Sequence, residues 1–523
     1  MIPKMQRVSI SIICFNFLAF RQKAFIALDG GRRLSCRKVK IMKKYFLFLL
    51  TICLVMGSMT ACFGSDEPAE TTETTASNNE GTTSILDSIS VKDYDGATFT
   101  ILGVGNEDAA GKDGSIVSHN GNGELTEKVV YERTLFLEEK YNMIMNYKAT
   151  NGTLQAMEAD QMGGGGSYDL VIPHPTEGIA RIITEGFCAD IMSMEAINLD
   201  QPWFRAEQIE TYTTNGKLYQ VASDFSVGYP IEGFVYNKDL YRDAGLTEDL
   251  YDVVFDGDWT LEKFYDTVMS YQPSMEGVSD NEKMYSLVHH QGQENRYLYG
   301  CDQKTVKRNG EGTYELALDK DSLNTIASYL YQLIHESENV YVGVNNSEAA
   351  WGTSEMMNIF TSGRAIFIHY NIGGLYGYLR ELNFEVGYLP MPKYDTYQKD
   401  YRSISTNGGV IIPSALAPEK QQMSAAVLDA FARYNNVYMR PAFFDLVLQG
   451  RLSQDERDYK ILELMMDSAV FDIGYTIDGS GTGYMKGILT QVVVISKATT
   501  VDSYLTSRAS VLSAIVDQIN AIG

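Results

Sequence analysis

Cysteine, histidine and tryptophan are scarce in this chain of 523 residues, which has six, six and three of them. So few cysteines exclude a disulfide-rich scaffold, and no group of cysteines and histidines has the spacing of a zinc site. The motifs His-Glu-x-x-His, Gly-x-Ser-x-Gly and the phosphate-binding P-loop are also absent, and Gly103 and Gly105 lack the third glycine of a dinucleotide loop. The sequence therefore predicts no catalytic residue, no metal and no cofactor.

Basic residues are also scarce: the chain has 43 of them and 67 acidic residues, so its net charge is −24. Residues 1–61 carry 11 of the basic residues and only one of the acidic ones, so the rest of the chain is more acidic still. A surface of this sign repels nucleic acid and anionic lipid headgroups. We therefore expect no nucleic-acid partner and interpret the acidic residues as a solubilising surface.

Long apolar runs are missing, and the run Tyr45–Met56 is too short to span a bilayer. It follows two lysines and ends in small residues and Cys62, which is the pattern of a secretory signal. The string Met59–Cys62 resembles a bacterial lipobox, in which the cysteine thiol is acylated. We predict a lipoprotein signal peptide over 42–61 and lipidation at Cys62; the alternative is a chance cysteine at the end of a signal peptide.

The segments on either side of this signal differ from a folded domain. Residues 1–41 are basic and precede a complete signal peptide, so we interpret them as a non-native upstream extension; the alternative is a real extension with its own apolar segment, Val8–Phe20. Residues 62–90 include a stretch rich in Thr, Glu, Ser and Asn that cannot bury enough apolar surface to fold. They are predicted to be a disordered, lipid-anchored tether.

The start of the body alternates predicted strands with predicted helices. Residues 97–104, 143–149 and 168–175 are rich in β-branched and aromatic side chains and indicate strands. Between the first two strands, helical spacing places one set of side chains on a single face: Val130, Thr134, Leu137 and Tyr141. This order predicts a mostly parallel sheet, whose ligands bind beyond the carboxyl ends of its strands.

Five later segments resemble the extracellular solute-binding proteins, family 1, of ABC importers. In the order of that family, they are "GKLYQVASDFSVGYPIEGFVYNKDLYRDAGL", "DGDWTLEKFYDTVMSY", "MMNIFTSGRAIFIHYNIGGL", "FEVGYLPMPKYD" and "NGGVIIPSALAPEKQQMSAAVLDAFARY". No single segment is specific, but five in register cover most of residues 95–440. Residues after Phe443 match less well.

The resemblance implies an α/β, two-lobed, periplasmic-binding-protein-like (type II) fold with an interlobe cleft and a hinge. It places residues 91–228 together with 387–440 in lobe 1, residues 229–386 in lobe 2, and 441–523 in C-terminal helices that pack on both lobes. Cys188 and Cys301 then belong to different lobes, so we expect both to be unpaired and buried.

The function implied is that of a monomeric lipoprotein on the extracellular face of the cytoplasmic membrane. It would capture a small solute, by expectation a mono- or oligosaccharide, and deliver it to an ABC transporter permease. A surface carbohydrate-active hydrolase is an alternative, because 67 acidic residues leave room for a catalytic carboxylate pair. Binding of peptides or other polar solutes, and an adhesion or sensory role, are further alternatives.

Sugar clefts combine aromatic faces with carboxylates and amides, and the chain has 34 tyrosines. Candidate ligand-binding residues are therefore polar or aromatic side chains on predicted loops and strand ends. For each of them, packing in the structure is the alternative role. They are His174, Trp203, Asp224, Tyr229, Trp351, Tyr370, Asn371 and Asn407.

Overall fold

A computed structural model of the protein describes residues 85–105, 116–123, 125–173, 177–225, 232–343, 353–372, 378, 382–405, 409–448, 455–478 and 483–522. These residues belong to one compact unit of the chain. None of the helices in the described ranges is both long enough and apolar enough to cross a membrane. The predicted extension, the signal peptide with Cys62 and most of the tether lie outside the described residues.

Strands and helices alternate along much of the chain, as expected for an α/β protein. The strands are β1 Ala97–Gly103, β2 Met143–Ala149, β3 Leu170–Val171, β4 Glu232–Asn237, β5 Tyr285–His290, β6 Val306–Arg308, β7 Tyr314–Leu316, β8 Val340–Gly343, β9 Ala365–Asn371, β10 Val386–Pro390, β11 Ser403–Ile404 and β12 Ala469–Val470. The helices are α1 Leu125–Tyr141, α2 Thr153–Met162, α3 Ala180–Thr184, α4 Ala206–Tyr212, α5 Lys238–Asp243, α6 Leu250–Phe255, α7 Leu261–Ser270, α8 Asn295–Gly300, α9 Lys320–Tyr331, α10 Thr353–Thr361, α11 Pro418–Tyr434, α12 Arg440–Leu448, α13 Glu456–Asp467, α14 Ile473–Ile477 and α15 Asp502–Asn520. Short 3-10 or π segments are Ile191–Ser193, Gln332–Glu336, Asn435–Met439 and Thr490–Ile495.

The first sheet consists of three parallel strands in the order β2–β1–β3. Isolated bridges extend it to a later part of the chain, because Val171 pairs with Ile411 and Val221 pairs with Val410. The first two strands have nearly the predicted bounds, but β3 is only two residues long, against a prediction of 168–175. The expectation of a parallel sheet is thus confirmed.

Helix α1 has the buried face that its spacing predicts. Val130, Thr134, Leu137 and Tyr141 are all buried. The next helix, α2, ends at Met162, and Gly163, the first of the run of glycines, is its C-cap residue. Gly164, Gly165 and Gly166 all have positive φ angles, which residues with a Cβ atom rarely adopt, so the run is a tight connection to β3.

The second sheet has five strands in the order β10–β4–β9–β5–β8. Strand β4 is antiparallel to both β10 and β9, whereas β5 is parallel to both β8 and β9. All six residues of β4 are buried, so both faces of this strand are covered. The carboxyl ends of β5, β8 and β9 therefore lie at one edge, together with the amino end of β4.

Helix α7 begins directly after the Trp-Thr pair of one of the five resembling segments, and local hydrogen bonds explain both residues of that pair. The Thr260 side chain accepts a hydrogen bond from the backbone N–H of Lys263, which caps the helix, and Glu262 lies in the first turn. Trp259 is fully buried and donates its indole N–H to the carbonyl of Pro390 at 3.0 Å. The Trp-Thr pair thus holds the start of α7 against β10.

Buried apolar side chains form two clusters. The first core surrounds β1–β3, α1 and α11, and its members include Phe99, Leu137, Val221, Phe431 and Ile515. The second core surrounds the five-stranded sheet, and its members include Phe234, Phe264, Leu287, Ile326 and Phe367. Each sheet thus has a hydrophobic core of its own.

Strand β10 differs in position from the predicted lobe boundary. The prediction assigns residues 387–440 to lobe 1, but β10 pairs with β4 along its whole length. Tyr388, Leu389 and Ile404 are buried in the second core. The first part of this segment therefore belongs to the five-stranded sheet. The chain pairs with the first sheet only at 409–412.

The C-terminal part of the chain is divided between the two cores. Ile461 and Leu462 of α13 are buried in the second core, whereas Leu512 and Ile519 of α15 are buried in the first. The last helices therefore contribute packing to both halves of the described structure.

Both cysteines of the described body are free and buried, as predicted. Cys188 belongs to the first core and Cys301 to the second. Burial raises the pKa of both thiols, which keeps them protonated and unreactive in the folded protein.

Candidate functional site

Polar and aromatic side chains meet at the edge where β5, β8 and β9 end and β4 begins. Glu232, the first residue of β4, pairs across the sheet with Asn371, the last residue of β9. Tyr370 precedes Asn371 and is half-buried. Because ligands of α/β sheets bind beyond the carboxyl ends of the strands, this edge is the candidate functional site.

Glu232 is the central anion of this edge. Its side chain is 4% exposed, and its Oε1 lies 3.5 Å from Nε of Arg296. Its Oε2 is buried and has no hydrogen-bond partner among the described residues. Burial raises the pKa of Glu232, and Arg296 and the Asn371 side chain offset part of that shift. The carboxylate thus retains an acceptor oxygen that no described residue uses.

Arg296 connects Glu232 to an aromatic pair. Its Nη1 donates a hydrogen bond to the hydroxyl of Tyr475 at 3.1 Å, and its guanidinium lies 5.8 Å from the centre of that ring. Tyr475 in turn meets Tyr299 edge-to-face with 6.0 Å between ring centres. The group Glu232, Arg296, Tyr475, Tyr299, Tyr370 and Asn371 is called the edge cluster below.

Tyr475 reaches the edge cluster from a helix that is held by the other core. Its neighbours on α14, Ile473 and Ile477, are buried in the first core, while Tyr475 packs with the second. The edge cluster therefore lies where side chains from both cores meet.

Asp472 fixes the start of α14 and so the position of Tyr475. Its carboxylate accepts hydrogen bonds from the backbone N–H of Thr305 at 2.6 Å and of Gly474 at 2.9 Å. The hydroxyl of Thr305 adds a further bond at 2.8 Å. Burial raises the pKa of Asp472, and these hydrogen bonds counteract that shift because they favour the ionised carboxylate.

A buried histidine pair lies next to the edge cluster in the sheet. His369, the residue before Tyr370, has its Nδ1 3.2 Å from Nδ1 of His289, and Nε2 of His289 lies 3.0 Å from Oε1 of Glu294. Burial and the neighbouring His289 lower the pKa of His369 well below its ordinary value. Burial alone would raise the pKa of Glu294, but the bonds from His289 and Thr490 lower it overall. This network holds the ends of β5 and β9 in place.

Of the predicted site residues, the structure brings Tyr370 and Asn371 together at the edge cluster. Burial raises the pKa of Tyr370, and ionised Glu232 adds to that shift, so these two side chains are electrostatic neighbours. The rule that ligands bind beyond the carboxyl ends of strands thus predicts the same edge of the sheet at which the edge cluster lies. Contact of these residues with a ligand stays a prediction.

Trp203 and Asp224 lie together, but in the surroundings of the first core. The backbone N–H of Asp224 donates to the carbonyl of Trp203 at 2.8 Å. The Trp203 indole N–H donates to Asp429 at 2.9 Å. The Asp224 carboxylate accepts from Arg205 at 2.8 Å and from Asn436 at 2.6 Å. Both side chains thus have protein partners, and ligand contact by either one remains a prediction.

The other four predicted ligand-binding residues, His174, Tyr229, Trp351 and Asn407, lie outside the described residues. Within the described ranges, no three side chains of His, Cys, Asp or Glu are grouped so that they could hold a metal ion.

Four members of the edge cluster are not among the predicted site residues, namely Glu232, Arg296, Tyr299 and Tyr475. Glu232 carries a usable signal, because it is the one charged residue in the apolar string "YPIEGFVY", and a charge inside a buried strand needs a partner. Arg296 and Tyr475 carry no such signal, since their role arises from contacts between distant parts of the chain.

No protein-family model matches the chain, and no curated protein matches it in sequence. Solved structures do match. UgpB from Mycobacterium tuberculosis, in complex with glycerophosphocholine, is 15% identical and has a TM-score of 0.53, with 81% of this chain and 99% of that chain covered. The GacH receptor of Streptomyces glaucescens, solved with acarbose, is 13% identical with a TM-score of 0.53 over 81% and 99% of the two chains. The ABC substrate-binding protein Lmo0181 from Listeria monocytogenes, in complex with cycloalternan, is 14% identical with a TM-score of 0.51 over 82% and 98%.

These matches, which cover nearly the whole of each neighbour, define the class of the fold. The chain has the α/β, two-lobed, periplasmic-binding-protein-like (type II) fold. The fold that the five sequence segments imply is therefore confirmed.

Proposed function

We propose that this protein is a solute-binding protein that captures a carbohydrate in its interlobe cleft and delivers it to an ABC transporter permease. The observation that carries the proposal is the edge cluster. It lies at the carboxyl end of a sheet, between side chains of two cores, in a fold whose solved examples include ABC substrate-binding proteins.

The chemistry of the edge cluster suits a sugar. The Oε2 of Glu232, which has no hydrogen-bond partner among the described residues, would accept a hydrogen bond from a sugar hydroxyl, with the Asn371 side chain beside the same carboxylate. The half-buried ring of Tyr370 supplies an aromatic face for the C–H side of a pyranose. A pocket with a few fixed polar groups and aromatic walls is the usual form of a small-molecule site.

The ligands of structural neighbours favour carbohydrate over other solutes. Neighbours with comparable folds were solved with acarbose, cycloalternan, maltotetraose and beta-1,6-galactobiose, although one was solved with glycerophosphocholine. Because the sequence identities are 10–15%, this supports a ligand class and no particular sugar.

The division into lobes forms part of the proposal. Lobe 1 would contain the first core and lobe 2 the second. Hinge closure around a ligand would then produce the form that docks on the permease. A monomer suffices for this cycle.

The cellular location proposed is the extracellular face of the cytoplasmic membrane. Lipid on Cys62 would hold the protein beside its permease, and residues 62–84 would allow the lobes to reach it. The predicted tether 62–90 is too long at its end, because Leu86 and Ile89 are buried in the first core. One acyl chain binds a membrane only marginally, whereas two chains anchor a protein stably. Mass spectrometry of the native N-terminus tests this, since a diacylated Cys62 supports it and an unmodified N-terminus elsewhere contradicts it.

Incubation of the protein with oligosaccharides separates a binder from a hydrolase. A binder is expected to melt at a higher temperature in the presence of its sugar, because a ligand that binds only the folded state stabilises it. Chromatography of the same mixture should then show intact sugar. Shortened products would contradict the proposal and favour the hydrolase.

A further inference from the structure

We infer that the site selects neutral polyhydroxylated ligands and discriminates against sugars that carry a carboxylate or phosphate. The observation is the contact between Arg296 and buried Glu232, which leaves one carboxylate oxygen without a hydrogen-bond partner among the described residues. The inference rests on the proposed function, because it concerns the ligand class of the same edge cluster.

The charges at the edge cluster do not favour an anion. Within the part of the chain that the structure describes, Arg296 is the cation that contacts Glu232, and the two charges offset each other. Arg296 is also committed to the hydroxyl of Tyr475 at 3.1 Å. Asp472 adds a buried carboxylate within electrostatic reach of Tyr299. An anionic ligand would therefore have to compete with Glu232 for its counter-ion.

The free oxygen of Glu232 adds a specific rejection. An ionised carboxylate only accepts hydrogen bonds, so it needs a donor from the ligand. A sugar hydroxyl supplies that donor, whereas a ligand carboxylate or phosphate oxygen at the same place would meet a like charge at short range. Since Glu232 is 4% exposed, little water is present to screen that repulsion.

The titratable groups near the edge cluster do not make its net charge positive at neutral pH. His369 is fully buried, and burial lowers its pKa well below the ordinary value, so it adds no positive charge. Glu294 stays ionised because the bonds from His289 and Thr490 outweigh the effect of its burial. Lys304 lies 3.2 Å from Glu207, whose negative charge offsets that of the lysine. The local balance thus stays negative or zero.

The test compares matched pairs of probes, namely gluco- and galacto-oligosaccharides and the same oligosaccharides with a terminal uronic acid, by calorimetry. We expect the neutral member of a bound pair to bind at least about 100-fold more tightly, because a buried like-charge contact costs several kcal/mol. The variant Glu232→Gln keeps the shape and one acceptor but removes the charge. It should bind the neutral sugar about tenfold more weakly, since a charged hydrogen bond becomes a neutral one, and should bind the uronic acid more tightly than wild type does.

Glu139→Gln is the matched control, because Glu139 is an exposed carboxylate on α1. It removes one charge from the whole protein and should leave both affinities unchanged. Melting curves establish that each variant is folded. If Glu232→Gln fails to fold, the ratio of the wild-type affinities for the neutral and the anionic sugar still tests the inference. This ratio should persist at high salt, because Glu232 is buried and salt screens buried charges poorly.

Equal wild-type affinity for the two members of a bound pair overturns the inference while the proposed function stands. An unchanged ratio in folded Glu232→Gln also overturns it. If neither class of sugar binds at all, the proposed function itself fails, and the inference fails with it.

Discussion

Glu232, buried at the edge of the five-stranded sheet, and the partly exposed Arg296 lie 3.5 Å apart between Oε1 and Nε, and Oε2 of Glu232 has no hydrogen-bond partner among the described residues. A buried charge pair contributes little net stability unless its remaining hydrogen-bonding groups are satisfied. A charge pair at a strand end whose carboxylate lacks a hydrogen bond is therefore better explained by a role in ligand binding than by a role in stability. A ligand hydroxyl would complete it.

Replacement of Tyr370 by alanine should weaken sugar binding. If its half-buried ring stacks on the ligand, Tyr370→Ala is expected to lose about 1–3 kcal/mol of binding free energy, the scale of a buried aromatic contact. Calorimetry with the best sugar of a panel measures this. Tyr370→Phe keeps the ring and serves as the control, with affinity close to that of wild type. An alanine variant with wild-type affinity would remove Tyr370 from the site.

Asn435 should be critical for stability. It is 1% exposed and accepts from Nη1 of buried Arg133 at 2.6 Å. It also donates to the carbonyls of Asp224 at 2.8 Å and Phe225 at 3.0 Å. Asn435→Ala leaves a buried guanidinium and two carbonyls without these bonds, so the free energy of unfolding should fall by about 3 kcal/mol.

Urea unfolding measures the effect of Asn435→Ala. The control is Asn358→Ala, because Asn358 is exposed on α10, and its unfolding free energy should stay within about 0.5 kcal/mol of wild type. A loss of less than about 1 kcal/mol in Asn435→Ala would contradict the described network.

His369 predicts a loss of stability in mild acid. Its pKa is lowered well below 6.5 in the folded protein because it is buried beside His289. Below its ordinary pKa the unfolded chain takes up a proton that the folded chain does not, so acid favours unfolding. The stabilisation is present above about pH 6.5 and should fall by up to about 1.4 kcal/mol per pH unit below it.

Urea unfolding at several pH values tests this dependence. His369→Gln should flatten the slope between about pH 6.5 and 5.5, because the titrating group is gone. The control is His119→Gln, at an exposed position in the structure. A wild-type slope that survives in His369→Gln would assign the pH dependence to another group.

Cys188 and Cys301 should both label as free thiols when the protein is denatured without reductant. They are unpaired and lie in different cores. In the folded protein both should react slowly, because each is buried and burial raises the pKa of the thiol. Peptide mapping after alkylation identifies the two sites. The absence of label at both positions would indicate a disulfide and contradict the described packing.

Local patterns account for the parts of the fold that were predictable. The face of α1 that buries Leu137 and Tyr141 follows from helical spacing, and the cap at Thr260 follows from residue type. Each depends on residues within a turn or two of the chain. The position of Tyr370 at the end of β9 follows in the same way, from a short apolar run and the rule for strand ends.

Long-range contacts account for what was not predictable. Strand β10 belongs to the second sheet because it pairs with β4. The local sequence of 386–390 does not predict which strand it pairs with. Arg296 and Tyr475 meet across the chain for a similar reason. The edge cluster could therefore be located only in part from the sequence.

The central claim is that the cleft binds a carbohydrate, and calorimetric titration of the full chain with a panel of neutral mono- and oligosaccharides tests it most directly. The account predicts saturable heat with at least one sugar, and weaker binding of that sugar to Glu232→Gln. A folded wild-type protein that gives no binding heat with any sugar of the panel, over a range of temperatures, would contradict it.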